Sequence, residues 1–486
     1  MEKKHKGLSV WQLTMMALGT VVGGSFFLGS AVAIRAAGPA VIISFILGGV
    51  LVYFILFALS ELTVSDPAPG SFRTFATRAF GPGTGFVVGW VYWTGLVLAM
   101  SSEATAVSIL LRGWFPGISM LLAGSLIITG ITFLNLLGAD RLSKLESGLA
   151  AVKLFAIAAF VILGLFLIAG LMPGVPQIGL GELIDELWFP GGISGIAGSM
   201  LIVIFTYAGF EIIGLAASES NDAPNTIPRA ITYTVLGLIS LYVASVAVIL
   251  PLIPTASLTE KVSPLVAALN RWGIGWAGNI INIVLITAIL STMLAAMFGL
   301  GRMISSLAHE GQAPVWLINK SNVPYRGILF SGVAMIMGLG LGFSLPRQVY
   351  LFLISSGGFS LLFTYAVILA THYRFRKKHG CPPLGKCQMP GFPFSSLIAL
   401  ISTVAIIASM PLIPGQRSGL LAGLVLVALY TVIYLAIKYR DKITKPVSAK
   451  RNPYYISTLR ARLNTELAEE LGQQQKIESK TDDKKQ

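Results

Sequence analysis

The 486-residue chain is 55% hydrophobic and only 12% charged, with a mean hydropathy of +0.78 and a net charge of +14. A soluble protein carries roughly a quarter charged residues, so a water-soluble globular domain is excluded. The charges crowd between long uncharged stretches, each close to the ~20 residues that a helix needs to cross about 30 Å of hydrocarbon.

Twelve such stretches are predicted in chain order: 9–34, 39–60, 84–111, 118–138, 149–172, 192–217, 229–251, 279–301, 327–345, 349–371, 394–414 and 418–437. The ten-residue alternation of a β-barrel strand is absent from them. The opening MEKKHKG is basic, but the apolar run after it exceeds a signal-peptide core of about 7–15 residues and reads as a retained first helix. Lys and Arg are distributed unequally between the two membrane sides. Sixteen fall at the N-terminus and in the loops on its side, six fall in the opposite loops, and twelve lie in the tail from Lys438 onward. The positive-inside rule therefore puts both termini in the cytoplasm. The net charge needs no nucleic acid to explain it; it reflects topology, with attraction to anionic membrane lipid as a secondary effect. Lys153 is the one basic residue left inside a predicted span.

The first span contains GTVVGGSFFLG, Gly19 to Gly29, with Gly23, Gly24 and Ser25 near its centre. The sixth contains FTYAGFEIIG, interrupted in the same way at Ala208 and Gly209. These two spans begin two halves of five spans each. Five is odd, so the second half starts from the opposite side and is inverted. Paired glycine interruptions at corresponding positions are the sequence pointer to a transporter binding site. Unwinding frees backbone groups that cost several kcal/mol each in lipid unless a cavity or a partner satisfies them. A zwitterion satisfies both kinds. Amides around Ser25 and Phe26 suit a carboxylate, and carbonyls around Val22 and Phe205 suit an ammonium. The competing reading is close helix packing, for which Gly19-x-x-x-Gly23 also serves.

Three ionisable residues lie inside spans. Lys153 reads either as a lysine snorkelling to the surface or as a buried ammonium that loses and regains a proton. Glu211, two residues past the sixth-span interruption, and Glu103 in the third span need a partner or a proton if buried. Glu61 and Glu219 read as interfacial, Trp90, Tyr92 and Trp93 as an interfacial belt or a gate, and no histidine as a buried relay. Cys381 and Cys387 share one loop without histidines at zinc-site offsets and read as loop thiols. No P-loop, HExxH or nucleophile–base motif is present, which argues against an enzyme. The polar tail 438–486 repeats Leu459, Leu463, Leu467 and Leu471 at helical spacing and carries no assigned function.

Seven segments in order resemble the amino acid–polyamine–organocation superfamily, and within it the bacterial amino acid permease branch. They are ALGTVVGGSFFLGSA, ALSELTVSDPAPGSFRTFA, GPGTGFVVGWVYW, MSSEATAV, ESGLAAVKLFAIAAF, FTYAGFEIIGLAASESNDAPNTIPRAI and GRMISSLAHEGQAP. The resemblance covers about residues 8 to 375. It implies an all-α membrane protein of twelve transmembrane helices with a leucine-transporter-like 5+5 inverted repeat, helices 1 and 6 discontinuous, and two extra C-terminal helices. The domain is then 1–437, with repeats over 8–172 and 190–371 and extra helices over 394–437. It further implies that Gly23, Gly24 and Ser25 bind an L-amino acid carboxylate, and that Phe205, Thr206, Tyr207 and Gly209 contact its ammonium and wall its pocket. Protons are the implied coupling ion, with Lys153, Glu211 and Glu103 as the charged residues that match, and no cofactor or metal. Two positions depart from the pattern. Ser25 replaces the second glycine of Gly-x-Gly, and Leu294-Ala295 replaces a polar pair in the eighth span, making that wall more apolar. The expectation is proton-driven import of neutral, apolar L-amino acids. An exchanger or exporter, or a non-transporting sensor on the same fold, shares these features.

Overall fold

The computed structural model describes residues 9–65, 71–137, 139–210, 223–319, 323–344, 349–381, 387–412 and 415–444. The described residues are helical with short connections. Among the described residues nine helices are long and apolar enough to cross a membrane, and three shorter apolar helices, Val10–Val21, Met120–Asn135 and Gly192–Thr206, accompany them. Each of the twelve predicted stretches overlaps one or more of these helices.

The predicted first span is three helices, α1 (Val10–Val21), α2 (Gly24–Phe27) and α3 (Gly29–Ala37). A capping box starts it: the Ser9 amide donates to Gln12 Oε1 at 2.9 Å and the Gln12 amide to Ser9 Oγ at 3.3 Å. Gly38, at φ +61, turns the chain into α4 (Val41–Ser65). There a side chain would be strained and its Cβ would press on Pro190. α5 (Phe72–Phe80), α6 (Pro82–Leu111), α7 (Met120–Asn135) and α8 (Ala139–Ala169) follow. Next come α9 (Gly192–Thr206), α10 (Ala223–Leu252), α11 (Pro264–Arg271) and α12 (Gly275–His309). The chain closes with α13 (Tyr325–Ser344), α14 (Val349–His379), α15 (Phe394–Ser409) and α16 (Gln416–Thr444). Residues 1–434 form one compact unit; the second begins at Leu435, and its described part is the end of α16.

Lipid tails are as apolar as leucine, so helices in a bilayer associate through close packing and hydrogen bonds. α6 and α14 illustrate the first, since a Cβ on Gly95 would collide with Ser360 and one on Gly357 would lie 3.0 Å from the Gly95 carbonyl. α6 and α14 are mostly buried, whereas α8, α15 and α16 turn apolar side chains such as Phe155, Ile401 and Val425 outward.

Two polar clamps fasten the end of the bundle that carries the N-terminus. The fully buried Arg73 of α5 donates to both oxygens of Glu310, to Gln312 Oε1 at 2.9 Å and to Ser306 Oγ at 3.2 Å. Glu61 of α4 is also fully buried, which corrects its expected interfacial position. It accepts from Arg376 at 3.2 Å and from the amides of Gln388 and Met389 at 2.6 and 2.7 Å, and pairs with His372 Nε2 at 2.6 Å. His372, which the sequence places at a span end and not as a buried relay, is thus a buried partner of a carboxylate. Burying these groups is tolerable because each charge meets several partners. Cys381 and Cys387 are joined as a disulfide rather than standing as two loop thiols. Glu219 lies outside the described residues.

Candidate functional site

α1 ends where the sequence places its glycine pair. Val22 (φ −72, ψ 106) and Gly23 (φ −146, ψ −166) are extended, and helix resumes at Gly24. Gly23 is confined by α12, since a Cβ there would lie 3.1 Å from Thr292 Oγ1. Gly19 is a packing glycine, its would-be Cβ 2.5 Å from that of Ala150 on α8.

The break leaves carbonyls at the end of α1 and amides at the start of α2, and both sets find charged partners. Lys153 does not snorkel; it is 1% exposed, and its ammonium donates to the Gly19 carbonyl and, at 3.3 Å, to that of Val22. The Ala288 carbonyl and Thr292 Oγ1 are both 3.5 Å away, and Thr292 Oγ1 itself lies 3.1 Å from the Val22 carbonyl. Across the break, the Gly24 amide donates to Glu103 Oε2 at 2.7 Å and the Ser25 amide to Glu103 Oε1 at 3.1 Å. A carboxylate held by two adjacent amides is the arrangement that a substrate carboxylate would adopt. Here the protein's own side chain supplies it.

α9 ends at Thr206, and turns carry the chain through Phe210 with Gly209 at φ +104. A Cβ on Gly209 would sit 3.1 Å from the Thr20 carbonyl, so strain and crowding both favour glycine. The Thr206 carbonyl accepts from Tyr242 Oη at 2.9 Å. The Tyr207 ring points away from the break, its hydroxyl donating to the Phe45 carbonyl at 2.9 Å.

A cavity of about 120 Å³ lies between the two interruptions. Ser25, Glu103, Phe205 and Gly209, all named from the sequence, line it. Val22, Gly23, Gly24, Phe26, Thr206, Tyr207 and Lys153 stand behind the wall, and Glu211 lies outside the described residues. Sequence reasoning missed Thr20, Tyr92, Met100 and Thr292 as lining groups. Ala295, half of the departure in the eighth span, faces the cavity, while Leu294 is buried elsewhere. The polar lining is Thr20, Ser25, Tyr92, Glu103 and Thr292, and the rest is mostly apolar. Trp90 and Trp93 are tied by indole bonds to the Gln312 carbonyl and to Ser331 Oγ, both 3.0 Å, which argues against a loose interfacial belt.

The cavity reaches from Glu103 and Ser25 toward Tyr92 and Gly299, the end of the bundle that carries the N-terminus. On its other side Phe26 stacks on Tyr242 with centroids 4.2 Å apart, and Phe45 and Tyr207 pack edge-on and tilted around them. Tyr350 Oη donates to the Gly24 carbonyl at 3.3 Å.

Comparison with known proteins matches a family model described as amino acid permease to residues 12–450. A γ-aminobutyric acid permease of Bacillus subtilis is 32% identical over 91% of this chain and 96% of its own length. The γ-aminobutyric acid permease of Escherichia coli K12 is 34% identical over 76% of this chain and 80% of its own. The aromatic amino acid transport protein AroP of Escherichia coli O6:H1 is 29% identical over 92% and 98%. Among solved structures, the manganese transporter of Eremococcus coleocola superposes with a TM-score of 0.55 over 87% of this chain and 94% of that one, at 13% identity, a likeness of fold alone.

Proposed function

The chain belongs to the amino acid permease family, transporters of amino acids, and from that premise we propose that it imports neutral, mainly apolar L-amino acids by proton symport with alternating access. The observation that carries the reading is the pairing of Glu103 with the Gly24 and Ser25 amides at the cavity wall. Those amides are the natural place for a substrate carboxylate, and an ionised Glu103 holds them. A proton arriving at Glu103 removes its charge and weakens both hydrogen bonds, and the substrate carboxylate takes them over. Binding of substrate and proton is then coupled at one point. Lys153 holds the opposite lip of the break, where a coupling cation would otherwise neutralise the α1 carbonyls. Glu211 belongs to the same proposal by its position after the second interruption.

The apolar walls at Met100, Phe205 and Ala295 favour a neutral side chain, and no acid other than Glu103 lines the cavity among the described residues. The named relatives, for γ-aminobutyric acid and for aromatic amino acids, handle molecules that share an ammonium and a carboxylate but differ in the rest. The architecture proposed with this function has twelve spans over residues 1–437, the five-span repeats 8–172 and 190–371 inverted with respect to each other, helices over 394–437 outside them, and a tail 438–486 in the cytoplasm with the N-terminus. Interruptions after Val21 and after Thr206 at corresponding places support the repeat. The aromatic packing on the far side and the cavity reaching toward the N-terminal side support an inward-facing state.

Energetically, one charge falling through 100 mV releases about 2.3 kcal/mol, enough for roughly 50-fold accumulation of a zwitterion. The test is uptake of labelled L-amino acids into proteoliposomes with an inward proton gradient, with and without sodium. Saturable, sodium-independent uptake of neutral amino acids that a protonophore abolishes supports the reading. Sodium dependence, or uptake only into vesicles preloaded with amino acid, overturns it.

A further inference from the structure

A second cavity, of about 320 Å³, opens where α4, α5 and α14 meet at the end of the bundle that carries the N-terminus. Four basic side chains surround it: Arg78 of α5, and Arg374, Lys378 and His379 of α14. Thr371 lies in its wall, 2% exposed, and its hydroxyl has no hydrogen-bond partner among the described residues. Arg374 and Lys378 also border an open groove of about 580 Å³ on the outside of the bundle, otherwise lined by Phe80, Ala370, Tyr373, Leu397 and Leu400 with Lys377 at its edge. The Arg374 guanidinium lies over the Phe80 ring, 5.2 Å from its centroid, between the two spaces. No acidic residue lines either space among the described residues.

A basic end of a membrane protein is ordinary topology, and exposed cations alone point to no ligand. Three features go beyond it. The cations enclose a concavity rather than projecting singly, a buried hydroxyl without a partner belongs to a residue of its wall, and an apolar groove runs from the same two residues along the outer surface. A ligand that fits all three has an anionic phosphate at one end and hydrocarbon at the other. We propose that this is a specific site for one anionic phospholipid of the leaflet on the N-terminal side. Its phosphate occupies the cavity among Arg78, Arg374 and Lys378 and accepts from Thr371, and an acyl chain lies in the groove over Leu397 and Leu400. The site adjoins the buried Glu61–His372 pair through Leu62 and Thr371, so the lipid braces α4, α5 and α14 together.

The inference rests on the membrane reading but not on the transported substrate, and its test involves no transport. The full chain, delipidated in detergent, is titrated with phosphatidylglycerol, with phosphatidylcholine and with inorganic phosphate, and bound lipid is counted by native mass spectrometry. One phosphatidylglycerol is expected to bind per chain, with phosphatidylcholine at least tenfold weaker, about the effect of one to two lysine- or arginine-sized contacts. Arg374→Gln with Lys378→Gln is expected to weaken phosphatidylglycerol about 25-fold, fivefold per cation removed. Thr371→Val should weaken it severalfold without a change of charge, and Arg417→Gln, at the other end of the bundle, should leave it unchanged. Equal binding of the two lipids, retention in the double variant, or an equal loss in Arg417→Gln overturns the proposal. Displacement of the lipid by inorganic phosphate at matched concentration also overturns it, since the site then takes a free anion.

Discussion

Glu103 and Gly24 are bonded at the cavity wall, carboxylate oxygen to amide nitrogen at 2.7 Å, with Ser25 second in line at 3.1 Å. An acid on α6 thereby holds the start of a helix that the first span had to break to form. The contact ties the accessibility of the substrate amides to the charge of one side chain.

Glu103→Gln removes the charge and nearly preserves the shape. A glutamine oxygen still accepts from one amide, but its NH₂ group cannot accept from the other. Downhill exchange of labelled amino acid is expected to persist, while proton-driven accumulation falls from about 50-fold to near unity. A variant that still accumulates substrate on a proton gradient would remove Glu103 from the coupling step.

Gly24→Ala tests the same contact from the backbone side. The added Cβ would lie 2.5 Å from Glu103 Oε2, too close for both to stay in place. The carboxylate is displaced, and the cavity narrows where the substrate carboxylate is proposed to bind. Apparent affinity for substrate is expected to fall about tenfold, the effect of losing one or two charge-assisted hydrogen bonds. Unchanged affinity would place the substrate elsewhere.

Much of this site is legible in the sequence, and the limits have physical causes. A glycine pair inside an apolar run costs unsatisfied backbone in lipid, so Gly23 and Gly24 advertise a break that something must satisfy. What satisfies it is not local: Glu103 and Lys153 reach the break from helices 79 and 134 residues along the chain, and only the resemblance connected them with it. Tyr207 follows Thr206 directly, yet it is buried against Phe45 and Tyr242 and does not line the cavity. The burial of Glu61 and His372 is hidden from the sequence for another reason. Each stands near a span end, where polar residues usually meet water, and burial came from the returning segment Gln388–Met389, whose amides cover them. An apolar–polar pattern contains no sign of such a loop.

Lys153→Ala withdraws the donor from the buried Gly19 carbonyl and one of two donors from the Val22 carbonyl, which keeps Thr292 Oγ1. The expected loss is about 1–3 kcal/mol of stability, the desolvation cost of one orphaned acceptor, together with loss of accumulation. Thermal unfolding in detergent, alongside uptake, separates the two effects. A stable variant with full uptake would leave the lysine a packing role only.

The Glu61 clamp yields a prediction whose size depends on which partner is removed. Glu61 is fully buried and faces His372, Arg376 and two amides, so it is the single acceptor for four donors. Glu61→Ala leaves all four donors without it and leaves the guanidinium of Arg376, itself 9% exposed, without its carboxylate. Removing one member of a buried ion pair costs about 3–5 kcal/mol. Arg376→Ala is milder, because His372 and the amides of Gln388 and Met389 still hold the carboxylate. The double variant is expected to be less damaged than the sum of the two, because it leaves no buried guanidinium for the missing acid to abandon. A double-mutant cycle on thermal stability reads this coupling directly. Additive losses would mean that Arg376 contributes by stacking on Phe392, 4.5 Å from the ring centroid, and not through the carboxylate.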